Sequence, residues 1–229
     1  MMKLAMKYPT TTSHTTEQTA LTPLAQHSIM LDTTCTLPYG ELAKLYRTIE
    51  AALPDTDNRV IQFASAYAGE GANLIAYETA IIATKMVGKR VLYIDMRTAS
   101  NPLDKVLGAN EETFDSMILS GRPPQEAINQ AEGTNLYFTR LRKRADEAFP
   151  AASLHAIEIA IRKLRPFFDL IVIDSQSILK DAFGVALAKM VDGTVLVVEA
   201  ERTRAPVLQQ SKKMIEAGGG TIIGTVLNK

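Results

Sequence analysis

The chain has 229 residues, with 25 Lys and Arg against 25 Asp and Glu, so its formal net charge is zero. That length suits one well-packed domain with an extension, and 46% hydrophobic against 22% charged residues is the balance of a soluble globular protein. Even charge excludes a chain built to neutralise phosphates along nucleic acid, and it is compatible with a part that works inside an assembly.

Residues 1–38 are rich in threonine and poor in periodic apolar content, and they read as a flexible arm or tether. The start, MMKLAMKYPTTT, has no continuous apolar stretch of the kind a secretory signal needs. Nowhere does an apolar run reach the ~18–20 residues that span a bilayer. A single cysteine, Cys35, excludes a disulfide framework and a multi-cysteine zinc site. His14, His27 and His155 have no metal-ligand spacing, and neither His155 nor Cys35 has a catalytic partner in view.

Regular patterning begins at Tyr39 and runs to the end, one domain over 39–229. Leu42, Leu45, Ile49 and Leu53 form a helical stripe that Pro54 stops. An apolar run at 60–66 leads through the loop AYAGEG into a helix over 73–87, which Gly88 ends. Residues 90–95 read as a buried strand, and weaker helices are expected near 111–120 and 124–131. A strand over 135–141 and a helix over 153–164 follow. Strands over 168–174, 193–200 and 221–228 then alternate with helices. Near-continuous Val, Ile and Leu strands separated by helices predict a doubly wound α/β fold, mainly parallel, with helices on both faces.

The first strand, the Gly69-Glu70-Gly71 loop and the next helix form the unit in which α/β folds set phosphate against backbone N–H groups. A dinucleotide fingerprint would need a third glycine, but Ala72, Asn73 and Leu74 follow the second. The loop also begins several residues after the strand, as in a P-loop. Asp95 closing the next strand keeps the dinucleotide reading open as a mimic of a ribose-binding acid.

From Tyr39 to Lys229 the sequence resembles the cytoplasmic kinase domain of bacterial tyrosine autokinases of capsule and exopolysaccharide synthesis. These are P-loop ATPases related to the partitioning and division-site ATPases. The resemblance rests on the helix carrying Glu41, Lys44 and Arg47, the loop SAYAGEGAN, the strands RVLYID and FDLIVID, and the closing VDGTVLVVEAERTR and IIGTVLN, in that order. It implies a P-loop fold and, where the site is intact, ATP or ADP with magnesium. It also implies a membrane co-polymerase or chain-length protein as partner, and a cytoplasmic position, peripheral at the inner membrane through that partner. The helix motif packs against the next protomer in that family, so Glu41, Lys44 and Arg47 are interface candidates in a homo- or hetero-oligomer. A solvated helix face accounts for them equally.

The family loop ends Pro-Gly-Glu-Gly-Lys-Ser/Thr, whereas this chain has Ala68-Gly69-Glu70-Gly71-Ala72-Asn73. Ala72 stands in place of the phosphate-binding lysine, and Asn73 in place of the magnesium-binding hydroxyl. The family's Asp-x-Asp becomes Asp95-Met96-Arg97, and Asp174 is followed by Ser175-Gln176-Ser177 in place of Thr-Pro-Pro. Asp95 and Asp174 are the acids that match the family. Asn228 falls where the wider class reads adenine, and a strand-end turn residue explains it equally well. None of the seven tyrosines follows Tyr137, so the family's acceptor cluster is not seen.

The expected reading is a catalytically degenerate, pseudokinase-like accessory subunit of polysaccharide polymerisation and export, with no nucleic-acid partner. Its alternatives are an active ATP-binding autokinase using a displaced lysine such as Lys85 or Lys89, and a partitioning-type ATPase. Arg140, Arg142, Lys143 and Arg144 form a local basic patch, read as a solvated loop rather than a lipid-headgroup contact.

Overall fold

The computed structural model describes residues 27–30, 35–54, 57–97, 113–141, 151–175, 177–180 and 182–229. Among the described residues eight strands form one sheet: β1 (His27–Ile29), β2 (Arg59–Ser65), β3 (Val91–Asp95), β4 (Asn129–Ala131), β5 (Leu136–Arg140), β6 (Leu170–Asp174), β7 (Gly193–Glu199) and β8 (Ile222–Asn228). Their spatial order is β1-β4-β5-β3-β6-β2-β7-β8, and every pairing is parallel except β4 with β5. Among the described residues six helices accompany them: α1 (Tyr39–Ala52), α2 (Ala72–Val87), α3 (Phe114–Leu119), α4 (Ala151–Leu164), α5 (Ala182–Ala188) and α6 (Ala205–Ala217).

The expected mainly parallel, doubly wound sheet is therefore present, and period-two alternation divides its side chains between two buried faces. Ile61, Phe63, Tyr93 and Val172 pack beneath α1 and α2, while Val60, Leu92, Ile94 and Ile173 pack against α4 on the opposite face. A smaller cluster of Leu196, Val198 and Ile215 seats α6. Helix α2 has buried residues on most of its circumference, because it is enclosed by the sheet on one side and α1 on the other.

Two expectations are corrected. Residues 124–131 do not form a helix: a 3-10 turn spans Pro124–Ala127 and β4 follows it. Pro123 and Pro124 supply no N–H, and the turn around Gly133 folds β4 back onto β5, pairing Asn129 with Phe138. The 1–38 segment is not uniformly an arm either. His27–Ile29 pairs in parallel with β4, and backbone N–H groups of Thr36 and Leu37 donate to the buried Glu78 carboxylate of α2 at 2.6 and 3.0 Å. Met1–Gln26 of that segment lie outside the described residues, as does part of the helix expected near 111–120.

The chain order places a functional crevice. From β2 the chain crosses to β3 on one side of the sheet, and from β6 it crosses β2 to reach β7 on the other. The carboxyl ends of β2 and β6 thus flank a topological switch point, where open α/β sheets bind ligands.

Candidate functional site

Parallel pairing in register sets Asp95 of β3 opposite Asp174 of β6, and Asp174 opposite Phe63 of β2. Two residues separated in sequence by α3, β4, β5 and α4 therefore end side by side, both almost fully buried. Arg97, two residues beyond β3, turns back over them. Its Nε lies 2.7 Å from Asp174 Oδ2 and 3.1 Å from Asp95 Oδ1, and its Nη2 donates to Asp95 Oδ2 at 3.1 Å. Its backbone N–H also donates to Asp95 Oδ1 at 2.9 Å.

The hydroxyl of Tyr93 donates to Asp174 Oδ2 at 3.2 Å. Among the described residues the other oxygen, Oδ1, is buried without a hydrogen-bond partner. Burial, and then the Asp95 charge, push the Asp174 carboxyl up to about 8, with Arg97 opposing the rise. Burial also holds the Tyr93 phenol well above its ordinary value, with the charges of Asp174 and Asp95 adding to the rise. The guanidinium remains a cation because the two carboxylates outweigh its own desolvation.

The glycine loop runs from the end of β2 into α2. Gly69 and Gly71 have φ of 88° and 87°, a left-handed conformation that costs a side-chain-bearing residue energy. Gly71 is the N-cap of α2, and no side chain caps that helix end. Its N–H groups and the helix dipole suit an anion. A Cβ on Gly71 would meet Asn228 Nδ2 at 2.3 Å, so the end of β8 presses directly on the loop. The Asn228 amide donates to the Glu70 carbonyl at 3.1 Å. That contact gives Asn228 a structural task independent of any base.

Glu70 points away from the cleft and is fully buried. Its carboxylate accepts from the Tyr67 N–H at 2.8 Å and from the Thr203 hydroxyl. Arg202 adds a second tie, its Nη2 donating to the Ala68 carbonyl at 3.1 Å while Nη1 pairs with Glu199. The loop is thus fastened to the β7–α6 connection by residues that motif reading did not single out.

Between the loop and the two acids lies a cleft of roughly 210 Å³, lined by Gly69, Gly71, Ala72, Asn73, Arg97 and Asp174, among others. That is below the ~300–1,000 Å³ of pockets that enclose whole drug-sized ligands, and it suits phosphate groups. Ser177 and Lys180, from the segment after β6, also line it. Sequence reading overlooked Lys180 because the search for a displaced lysine followed α2. There Lys85 and Lys89 stand at the opposite end from the loop, and Lys89 is paired with Glu50. At 1.5 Å rise per residue the helix carries them ~20 Å away.

Phosphate groups fit this lining, but a magnesium ion does not. The two acids that would hold it are bridged by a guanidinium, and an amide stands where a hard cation wants a hydroxyl. Among the described residues, no group of three or more His, Cys, Asp or Glu could hold a metal.

Glu41, Lys44 and Arg47 are exposed on α1 and are not among the residues that line the cleft. His155 is exposed on α4 and lies 3.8 Å from Glu158. Arg140 does not belong to a solvated patch: it is buried at the end of β5, paired in register with Asp95. Arg142, Lys143 and Arg144 lie outside the described residues.

No protein-family model matches the chain. A curated relative, AmsA of Erwinia amylovora, is named as a candidate tyrosine-protein kinase and is 24% identical over 200 residues, 82% of this chain and 26% of AmsA. The chain thus spans about a quarter of that protein. The kinase domain of the Escherichia coli tyrosine kinase ETK superposes with a TM-score of 0.67 at 17% identity, covering 90% of this chain and 89% of that one. The chimerical protein CapA2B2 gives 0.71 at 21% identity, with 88% and 92% covered. The chain resembles the bacterial tyrosine kinase domains. The wider class appears too: the cell division ATPase MinD of Pyrococcus furiosus gives 0.56 at 20% identity, with 74% and 71% covered. Among the described residues, no helix is long and apolar enough to cross a membrane.

Proposed function

We propose that this chain is a kinase-fold accessory subunit of exopolysaccharide or capsule polymerisation and export that does not itself transfer phosphate. The observation that carries this reading is Arg97 lodged between Asp95 and Asp174. Phosphoryl transfer depends on placing cations around the moving phosphoryl group. Ala72 supplies none at the loop, and the two acids are engaged by a side chain rather than left for a metal. The resemblance to bacterial tyrosine kinase domains supports the pathway and a cytoplasmic position at the inner membrane, reached through a co-polymerase or chain-length partner. The exposed Glu41, Lys44 and Arg47 support an oligomeric role.

Incubation of the purified protein with ATP and magnesium, followed by phosphotyrosine mass spectrometry, tests the reading. No phosphotyrosine is expected, and robust autophosphorylation would sink it. One observation favours a second reading, an active autokinase of the same pathway: Lys180 lines the cleft. Under that reading the same assay gives phosphotyrosine, and Lys180→Ala abolishes it.

A further inference from the structure

We infer that the cleft takes a phosphate or diphosphate group without a divalent cation, Arg97 standing where a metal ion would otherwise balance Asp95 and Asp174. This deepens the reading above, since it rests on the cleft being a phosphate site that no longer turns over.

Three independent features converge on the same space. The first is the uncapped start of α2, entered through Gly69 and Gly71 in left-handed conformation, which presents N–H groups and a positive dipole end to an anion. The second is Asp174, fully buried on the cleft wall with Oδ1 lacking a partner among the described residues. Buried polar atoms are nearly always satisfied, so an orphan carboxylate oxygen on a cavity wall marks a place completed by a donor, here the P–OH of a protonated phosphate group. The third is the pair of cations on the lining, Arg97 and Lys180.

Arg97 decides between a metal-bridged and a metal-free anion. A magnesium ion needs oxygen ligands near 2.0–2.1 Å in close octahedral order. Both oxygens of Asp95, and Oδ2 of Asp174, already accept from the guanidinium. A divalent cation entering there would face a fixed positive charge and would have to displace a salt bridge whose carboxylates are buried. An anion meets the opposite field: the guanidinium neutralises the carboxylate repulsion that would otherwise exclude phosphate from this wall. Lys180, exposed at the rim, supplies a compact charge of the kind that binds phosphate oxygens.

Isothermal titration calorimetry of the full chain with ADP and with pyrophosphate, in EDTA and in excess magnesium, tests this. Binding is expected in EDTA and is expected to weaken in excess magnesium, which competes with the site for the same phosphate oxygens, with Lys180→Ala weakening the EDTA binding about tenfold. ADP binding without pyrophosphate binding identifies a nucleotide as the source of the phosphates, and the reverse identifies free diphosphate. Either result supports the inference. Binding seen only with magnesium overturns it while leaving the kinase-fold accessory reading intact, because that reading fails on phosphotyrosine instead. No binding in either buffer also overturns it.

A metal readout gives a second arm. Relative to ADP alone, which itself binds part of the Mn²⁺, wild-type protein is expected to leave the electron paramagnetic resonance signal of free Mn²⁺ undiminished, whereas Arg97→Asp, which adds a third acid, is expected to deplete it further. Depletion by the wild type overturns the inference even if the variant does not fold.

Discussion

Arg97 Nε lies 2.7 Å from Asp174 Oδ2, a contact between the residue two beyond β3 and the last residue of β6. The same guanidinium grips Asp95, so one cation holds two carboxylates that strand register forces together. Two adjacent buried acids repel each other and each loses hydration, and the pair is tolerable here because the guanidinium compensates both. Arg97 is therefore part of the fold as well as of the cleft.

Removing that cation exposes the cost. Arg97→Ala leaves the buried Asp95 and Asp174 without their partner, and breaking such a pair from one side costs ~3–5 kcal/mol. The lower end is expected, because the Arg97 side chain keeps a fifth of its surface in solvent. Urea unfolding followed by circular dichroism measures it. Asp174→Asn in the Arg97→Ala background should recover part of the loss, whereas a purely packing role for Arg97 would leave the two effects additive.

Asp174 gives stability a pH dependence of defined sign. Its carboxyl is pushed up to about 8 in the folded protein, burial being the largest cause and Asp95 the next. An unfolded aspartate titrates near ~3.9, so between these values the folded state holds a proton that the unfolded state has released. This contribution is fully present below ~4 and is lost as pH rises through the folded value. Melting temperatures measured from pH 5 to pH 8 should therefore fall more steeply for the wild type than for Asp174→Asn. Parallel slopes would show that Asp174 does not titrate in that window.

The sheet was readable because its strands carry unbroken apolar runs between helix-period segments, a pattern that only a sheet covered on both faces explains. β4 was not: Asn129 and Gln130 lack strand chemistry, and their pairing depends on β5 lying beside them. The loop glycines and the two acids were visible as motif positions. What joined them was not, since Arg97 reads in sequence as a reversed charge and becomes a bridge only once β3 and β6 are in register. Glu70 misled in the opposite sense. It sits between two loop glycines, yet its side chain turns inward to Tyr67 and Thr203, a placement fixed by the distant β7–α6 connection. Lys180 is separated from the loop by about a hundred residues, and no local spacing could assign it to the cleft.

The contact between Gly71 and Asn228 makes two separable effects measurable at one position. Gly71→Ala forces an alanine to φ near 87° and drives its Cβ toward the Asn228 amide. The left-handed conformation alone costs ~1–2 kcal/mol. If the amide moves aside, its hydrogen bond to the Glu70 carbonyl is lost as well. Asn228→Ala should relieve the contact but not the backbone strain, so the double variant should be more stable than the two single losses predict. A double-mutant cycle by urea unfolding should return a coupling of ~0.5–3 kcal/mol.

Glu78 anchors the chain before α1, and its loss should act locally. It is almost fully buried on α2 and accepts from the N–H groups of Thr36 and Leu37 and from the Thr36 hydroxyl. Hydrogen bonds to a charged group contribute ~1.5–3 kcal/mol each, and Glu78→Ala leaves two backbone donors to find water. The sheet does not depend on this carboxylate, so β2 and β6 should keep their protection. Hydrogen exchange resolved by residue should show accelerated exchange at Thr36 and Leu37 with little change in the strands. Uniform acceleration across the sheet would mean instead that the segment preceding α1 is needed for global stability.

The exposed face of α1 separates association from folding. Glu41, Lys44 and Arg47 are exposed, whereas Leu42, Tyr46 and Ile49 of the same helix are buried beneath them. Surface substitutions away from packed features usually change stability by less than ~0.5 kcal/mol. Reversing all three charges (Glu41→Lys, Lys44→Glu and Arg47→Glu) should therefore leave the melting temperature nearly unchanged. If this face meets another protomer, the reversal sets like charges against a surface built for the opposite signs, and such juxtaposition costs several kcal/mol. Sedimentation velocity of wild type and variant at matched concentrations should then show a shift to smaller species, with the wild-type shift weakening at high salt as screened charges predict. Identical sedimentation would assign the three residues to solvent and remove them from the oligomer proposal.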